Sequence, residues 1–162
     1  LAIQMADFDL ALTLAQESLT LSRKAGDSTN AANAALNLAL AAHACGKQRV
    51  ARDALVEGIE RARAIRHSPF LVDALIIAGA LIVASDPSTA SVLLAVANRA
   101  QADLTIELEP VERELRASVE RQLPDRAGDD EPIDPAARDL DTAIDIAASR
   151  ALQSLAKLAL KG

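Results

Sequence analysis

Along most of this chain apolar residues recur three and four positions apart, the spacing of an α-helix with one covered face. Between residues 48 and 65, for example, Ala51, Ala54, Leu55, Gly58, Ala62 and Ile65 keep it closely. Turns carrying glycine, proline or aspartate punctuate the pattern. They predict a helix that Asp7 caps and that runs to about residue 24, with Gly26 as its left-handed stop. A second helix follows the Asp27-Ser28 cap and ends at Gly46, and a third spans 48–65. Ser68-Pro69 and Asp86-Pro87 each set a capping side chain ahead of a proline, opening helices over 69–84 and 87–102. Residues 1–5 read as the tail of a further helix. After Glu109-Pro110 a helix reaches about residue 123 with Val111, Leu115 and Val119 on one side. A last helix over 139–160 gathers Ile144, Ala148, Ala151, Leu152 and Leu155 on one face.

The pattern repeats. Ala11, Ala51 and Ala90 each open a helix after a short turn, 40 and 39 residues apart, so that Ala6-Asp7-Phe8, Gly46-Lys47-Gln48 and Ser85-Asp86-Pro87 align. A fixed period of about 20–50 residues marks stacked units, each burying its apolar face against its neighbours. The chain is 51% apolar with no Trp or Tyr, and Phe8 and Phe70 are its only phenylalanines. Its core must therefore be aliphatic, with helices at short distance through small side chains. Ala31, Ala35, Ala39 and Ala42 offer such a face, and Gly58 predicts a neighbour pressed against its bare backbone. The expected fold is all-α: three helix pairs over 1–104, the first truncated, a following helix over 105–123, an acidic linker over 124–138 and a C-terminal helix over 139–162. Pro124, Pro132 and Pro135 among Asp125, Asp129, Asp130, Glu131 and Asp134 make the linker.

Charge and cysteine usage narrow the function classes. Residues 1–100 carry nine acidic and nine basic side chains, and 101–162 carry 14 and 8, so the net charge of −6 lies in the last third. That balance disfavours nucleic-acid binding, because phosphate contacts need a basic stripe. The most apolar stretch, 70–84, is interrupted by Asp73 and is shorter than the roughly 20 residues of a membrane span, so membrane partners are not expected. One cysteine, Cys45, excludes an internal disulfide and fits a reducing, cytoplasmic setting. A first residue Leu1, without an initiator Met, suggests a segment of a longer protein.

The run Gly46-Lys47-Gln48-Arg49-Val50-Ala51-Arg52-Asp53-Ala54-Leu55 resembles the turn and second helix of a tetratricopeptide repeat, Gly-Asp-x-x-x-Ala-x-x-x-Leu/Phe. Ala6-Asp7-Phe8-Asp9-Leu10-Ala11 resembles the same element with Ala for Gly. The longer period is similar to that of repeats behind the ATPase modules of large bacterial signal-transduction (STAND-type) regulators. Asp86-Pro87, Leu108-Glu109-Pro110, Glu112-Arg113 and Leu140-Asp141-Thr142-Ala143-Ile144 resemble the end of that region. The resemblance implies a right-handed α-α superhelix, and a sensor or coupling segment beside a switch domain with a helix-turn-helix or adenylate cyclase output. The family's usual aromatic positions are Ala or Leu here. No Gly-x-x-x-x-Gly-Lys-Ser/Thr loop occurs, so the resemblance carries over no ATP chemistry.

Candidate site residues follow from these readings. No cofactor, metal or catalytic set is expected. His43 and Cys45, two apart on a helix, project in different directions and lack a second ligand pair. The acidic linker lacks the EF-hand frame for calcium. Glu107, Glu109, Glu112 and Glu114, interleaved with arginines, read as a solvent-facing charge lattice. Asn30, Asn33, Asn37, His43 and Asp73 are the polar positions expected to line the groove of a stack. Arg49, Arg52, Arg61, Arg63, Arg66 and His67 gather on one helix and its end, either as a solvated face or as a site for an anionic partner segment. The function expected is a non-catalytic module that binds a protein or peptide, its own switch domain being one candidate. The alternatives are a structural homodimerisation element and a small hydrolytic enzyme using His43 or His67.

Overall fold

Left-handed residues recur at a spacing that sets the architecture. The computed structural model describes residues 2–123 and 139–160, with side chains from residue 7 onward. Gly26, Gly46 and Arg66 take φ of +69°, +70° and +52°. They lie just past the ends of α1 (Ala2–Ala25), α2 (Ser28–Ala44) and α3 (Gln48–Ala64). After each, the next residue's N–H reaches five positions back: Asp27 to Ser22, Lys47 to Ala42 and His67 to Ala62, at 2.8–3.0 Å. These bonds satisfy carbonyls that a helix end leaves open. α4 (Ser68–Ile82), α5 (Pro87–Leu104), α6 (Pro110–Gln122) and α7 (Leu140–Ala159) complete the seven helices among the described residues, which contain no strand. Helices α2 to α5 thus start at residues 28, 48, 68 and 87. The forty-residue period read from the sequence consists of two halves of about twenty, each a helix and a turn.

The chain divides into two compact units, Leu1–Phe70 and Leu71–Gly162. In the first, α2 packs against both α1 and α3. Leu12, Ala15, Leu19 and Ser22 are the buried positions among the described side chains of α1, while Ala32, Ala35, Ala39 and Ala42 of α2 are wholly enclosed. Small side chains let the backbones approach: a Cβ built on Gly58 would stand 2.5 Å from Leu36 Cδ2 and 3.0 Å from its Cγ. Glu57 fastens the same layer, its carboxylate accepting the Arg23 guanidinium as a fork from α1 and Arg61 Nε at 2.7 Å. Those bonds, Arg23's first, hold Glu57 below the usual carboxylate range despite partial burial.

In the second unit α4 supplies the densest apolar core, with Val72, Leu75, Ile76 and Ile82 fully enclosed. Each such side chain contributes about 1.5–3 kcal/mol. A Cβ on Gly79 would meet Leu94 Cδ1 of α5 at 2.8 Å and Val119 Cγ1 of α6 at 3.8 Å. Helix α7 docks on α5 through Ala143, Ile144, Ala147, Ala148, Ala151 and Leu155. Asp86 holds that contact at its edge. Its Oδ1 accepts the Thr89 N–H at 3.1 Å, capping α5, and its Oδ2 accepts the Ser154 hydroxyl of α7 at 2.9 Å. Burial pushes the Asp86 carboxyl up, but the bonds from Thr89 and Ser154 and the charge of Lys157 hold it below its ordinary value. Asp27 and Asp139 cap α2 and α7 in the same way.

Two expected boundaries change. α1 runs unbroken through Asp7, so the aligned Ala6-Asp7-Phe8 forms no turn. Residues 2–10 hold no glycine or proline to divert the backbone, and Ala2, Gln4, Met5, Ala6 and Leu10 are good helix formers. At the start of α4 Ser68 is already helical, and the residue before it supplies the cap: His67 Nδ1 accepts the Phe70 N–H at 3.2 Å, its ring 3.8 Å from that of Phe70. The linker expected over 124–138 lies outside the described residues. Among the described residues no helix is long and apolar enough to cross a membrane.

Candidate functional site

In α2 one narrow stripe stays polar. Asn30, Asn33 and Asn37 share a helical face and are exposed, whereas Ala31, Ala32, Ala34, Ala35 and Leu36 around them are buried. This is the part of α2 that neither α1 nor α3 covers. Asn30 partly serves the helix start, donating to Asp27 Oδ2 at 2.7 Å, which leaves Asn33 and Asn37 as its outward amides. His43, in the last turn of α2, is half-buried, and its Nδ1 has no hydrogen-bond partner among the described residues. The Cys45 thiol turns instead to Asp9 Oδ1 at 3.6 Å. Burial and then the Asp9 charge push that thiol above its ordinary range, which makes it a poor nucleophile.

The arginines of α3 divide between two faces. Arg49, Arg52 and Arg63 lie near one line along the helix by their spacing; Arg52 donates to Asp53 Oδ1 from Nε at 3.0 Å and from Nη2 at 2.9 Å. Arg61 lies away from that line and pairs with Glu57. Arg66 is exposed in the turn that follows α3. His67, committed to the α4 cap, does not join them.

Asp73 is the one charged side chain of α4, and it is half-buried. Burial first, and then the charge of Glu112, push its carboxyl up to about 7. Glu112 is itself raised by burial, and its Oε2 accepts the Glu109 N–H at 2.9 Å at the start of α6. Among the described residues no group of three or more His, Cys, Asp or Glu side chains is placed to hold a metal ion.

A further feature escaped the reading of the sequence. The second unit has an open cleft of about 400 Å³ beside the C-terminal end of α5, the loop after it and α6. Its polar wall is Asn98, Gln101, Arg113, Arg116 and Glu120, and its apolar wall is Ala102, Ile106 and Leu108. Thr105, at φ 54° and ψ 44°, turns the chain left-handed at the end of α5, an unusual conformation for a β-branched residue, and Ile106 N–H bonds back to Gln101 O at 3.1 Å. Arg116 reaches across to Gln101 Oε1 at 2.8 Å and Asn98 Oδ1 at 3.4 Å. Its Nε is buried with no hydrogen bond, Glu120 standing 3.6 Å away. Arg116 also lies four residues from Glu112 and from Glu120, the spacing of ion pairs along an exposed helix. The bond to Gln101, 15 positions away, depends on how α5 and α6 meet, so local spacing does not reveal it.

No family model, curated protein or solved structure matches the chain.

Proposed function

We propose that this chain is a non-catalytic protein-interaction module, a tetratricopeptide-like helical stack that holds a protein or peptide segment. The observation that carries the reading is the Asn33–Asn37 stripe, two outward amides among the buried alanines and leucines of α2. Amides kept in water on an enclosed helix suit the recognition of a partner's backbone and polar side chains. The Arg49, Arg52 and Arg63 line adds a face that acidic residues of the partner would meet. On this reading the module belongs to a multidomain bacterial regulator, in which binding biases a switch domain outside the chain.

Selection of random peptides on the whole chain tests it. The expected outcome is a recurrent acidic or polar peptide whose affinity drops at least about tenfold, about 1.4 kcal/mol, in the Asn33→Ala/Asn37→Ala chain. Equal binding to that variant, or no enriched sequence, would overturn the proposal.

A structural dimerisation role is a second reading, favoured by α1. Leu10, Leu14 and Leu21 are 59%, 55% and 65% exposed on a helix that buries Leu12, Ala15 and Leu19 on another side. Dimerisation predicts a sedimentation coefficient that rises with concentration and reverts to that of a monomer in Leu14→Glu. A monomer at about 50 μM, where ΔG of association near −6 kcal/mol would already show, ends that reading.

A further inference from the structure

The cleft at α5 and α6 raises a question apart from the interaction surface of the first unit. Its donors outnumber its acceptors. Arg116 occupies both amide carbonyls, Gln101 Oε1 at 2.8 Å and Asn98 Oδ1 at 3.4 Å, which leaves the NH₂ ends of the two amides as donors. The Arg116 Nε is a further donor, buried and without a hydrogen bond. Arg113 lines the same cleft, and its guanidinium has no ion pair among the described residues. Against these stands one acceptor, Glu120, itself within 3.6 Å of Arg116. A site so composed lacks an acceptor-rich, anionic group.

Charge narrows the choice. Arg113 and Arg116 oppose Glu120, so the cleft has one positive charge in excess. That suits a single carboxylate, whose two oxygens fit the fork of a guanidinium, better than a phosphate dianion facing Glu120. The remaining wall is aliphatic, Ala102, Ile106 and Leu108. A volume of about 400 Å³ lies within the range of small-molecule sites, about 300–1,000 Å³. We propose that this cleft binds a monocarboxylate bearing a short apolar chain, with Arg113 pairing the carboxylate and Ile106 and Leu108 covering the chain. The proposal goes beyond the interaction reading and stands without it.

NMR titration of the whole chain with sodium hexanoate is the test, with 1-hexanol, hexylammonium chloride and inorganic phosphate run alongside. Expected are saturable shifts of the Gln101, Ile106 and Leu108 amides, with a midpoint on the order of 1 mM for so small a probe. Arg113→Gln should weaken hexanoate at least about tenfold while the unfolding midpoint stays in place, since Arg113 is exposed. No saturable shift with hexanoate, equal binding of hexanol or hexylammonium, displacement by phosphate at equal concentration, or an unaffected Arg113→Gln chain would each overturn the proposal. The carboxylate's source is read with a short peptide ending in leucine, free or amidated at its C-terminus. Tenfold tighter binding of the free form than of hexanoate assigns a polypeptide terminus, and equal or weaker binding assigns a free organic acid. Both results support a carboxylate site.

Discussion

At pH 8 the Asp73→Asn chain unfolds at a higher urea concentration than the parent, and its stability is greater by about 2–4 kcal/mol. Near pH 4 the two chains converge. The cause is the half-buried Asp73 carboxyl of α4, raised from 3.8 to about 7 by burial and then by the charge of Glu112. Below 3.8 it is protonated in both folded and unfolded chains, and burial costs no charge. As the pH rises the unfolded chain gives up its proton first, so stability falls progressively until the folded carboxyl ionises near 7, then levels off. Across that window the loss reaches about 4 kcal/mol. Glu112, also raised by burial, contributes with the same sign. Asp27, Glu57, Asp86 and Asp139 act oppositely: their carboxyls are lowered by hydrogen bonds, so their support is complete above the ordinary carboxylate values of 3.8 and 4.5 and is lost only in stronger acid. The windows separate, and urea midpoints at pH 2, 4, 6 and 8 tell them apart. A parent chain equally stable at pH 5 and 8 would show that Asp73 ionises without cost.

Gly58→Val should destabilise the chain by about 2–3 kcal/mol, although glycine is the poorer helix former. The Cβ alone would meet Leu36 Cδ2 at 2.5 Å, Cγ at 3.0 Å and the Leu36 backbone nitrogen at 3.4 Å, and valine adds two methyl groups. Leu36 is 3% exposed and has no open side to which it can turn, so α2 and α3 must move apart. Leu36→Ala by itself leaves a cavity and costs about 2–5 kcal/mol. Together the two changes should be less damaging than the sum of the singles by at least about 1 kcal/mol, because the valine fills the space that the leucine vacates. Denaturant midpoints of the four chains measure that coupling. Additive costs would place the clash elsewhere.

Backbone chemistry was the most legible part of the fold. Gly26 and Gly46 are left-handed stops, Asp27 and Asp86 are helix caps, and Gly58 is a close approach. Each is a local decision, made within a turn or by one missing side chain. Ala6-Asp7-Phe8 matched the repeat yet forms no turn, because alignment compares positions while a helix stops only where the backbone is diverted. The His67 cap was hidden by Ser68, a stronger capping residue one place too late. Within the candidate sites, the asparagine stripe followed from helical spacing. The Arg116 bridge did not, since its partners lie on another helix. The docking of α7 was equally illegible: an apolar face shows that a helix must be covered, and its packing on α5 with the Ser154–Asp86 bond shows by what.

That bond spans 68 residues, and the carboxylate that accepts it also caps α5. The cap of α5 and the seat of α7 are therefore a single hinge pin. When the turn before α5 frays, α7 loses its latch in the same event, so the last helix of the chain reports on a corner formed far upstream.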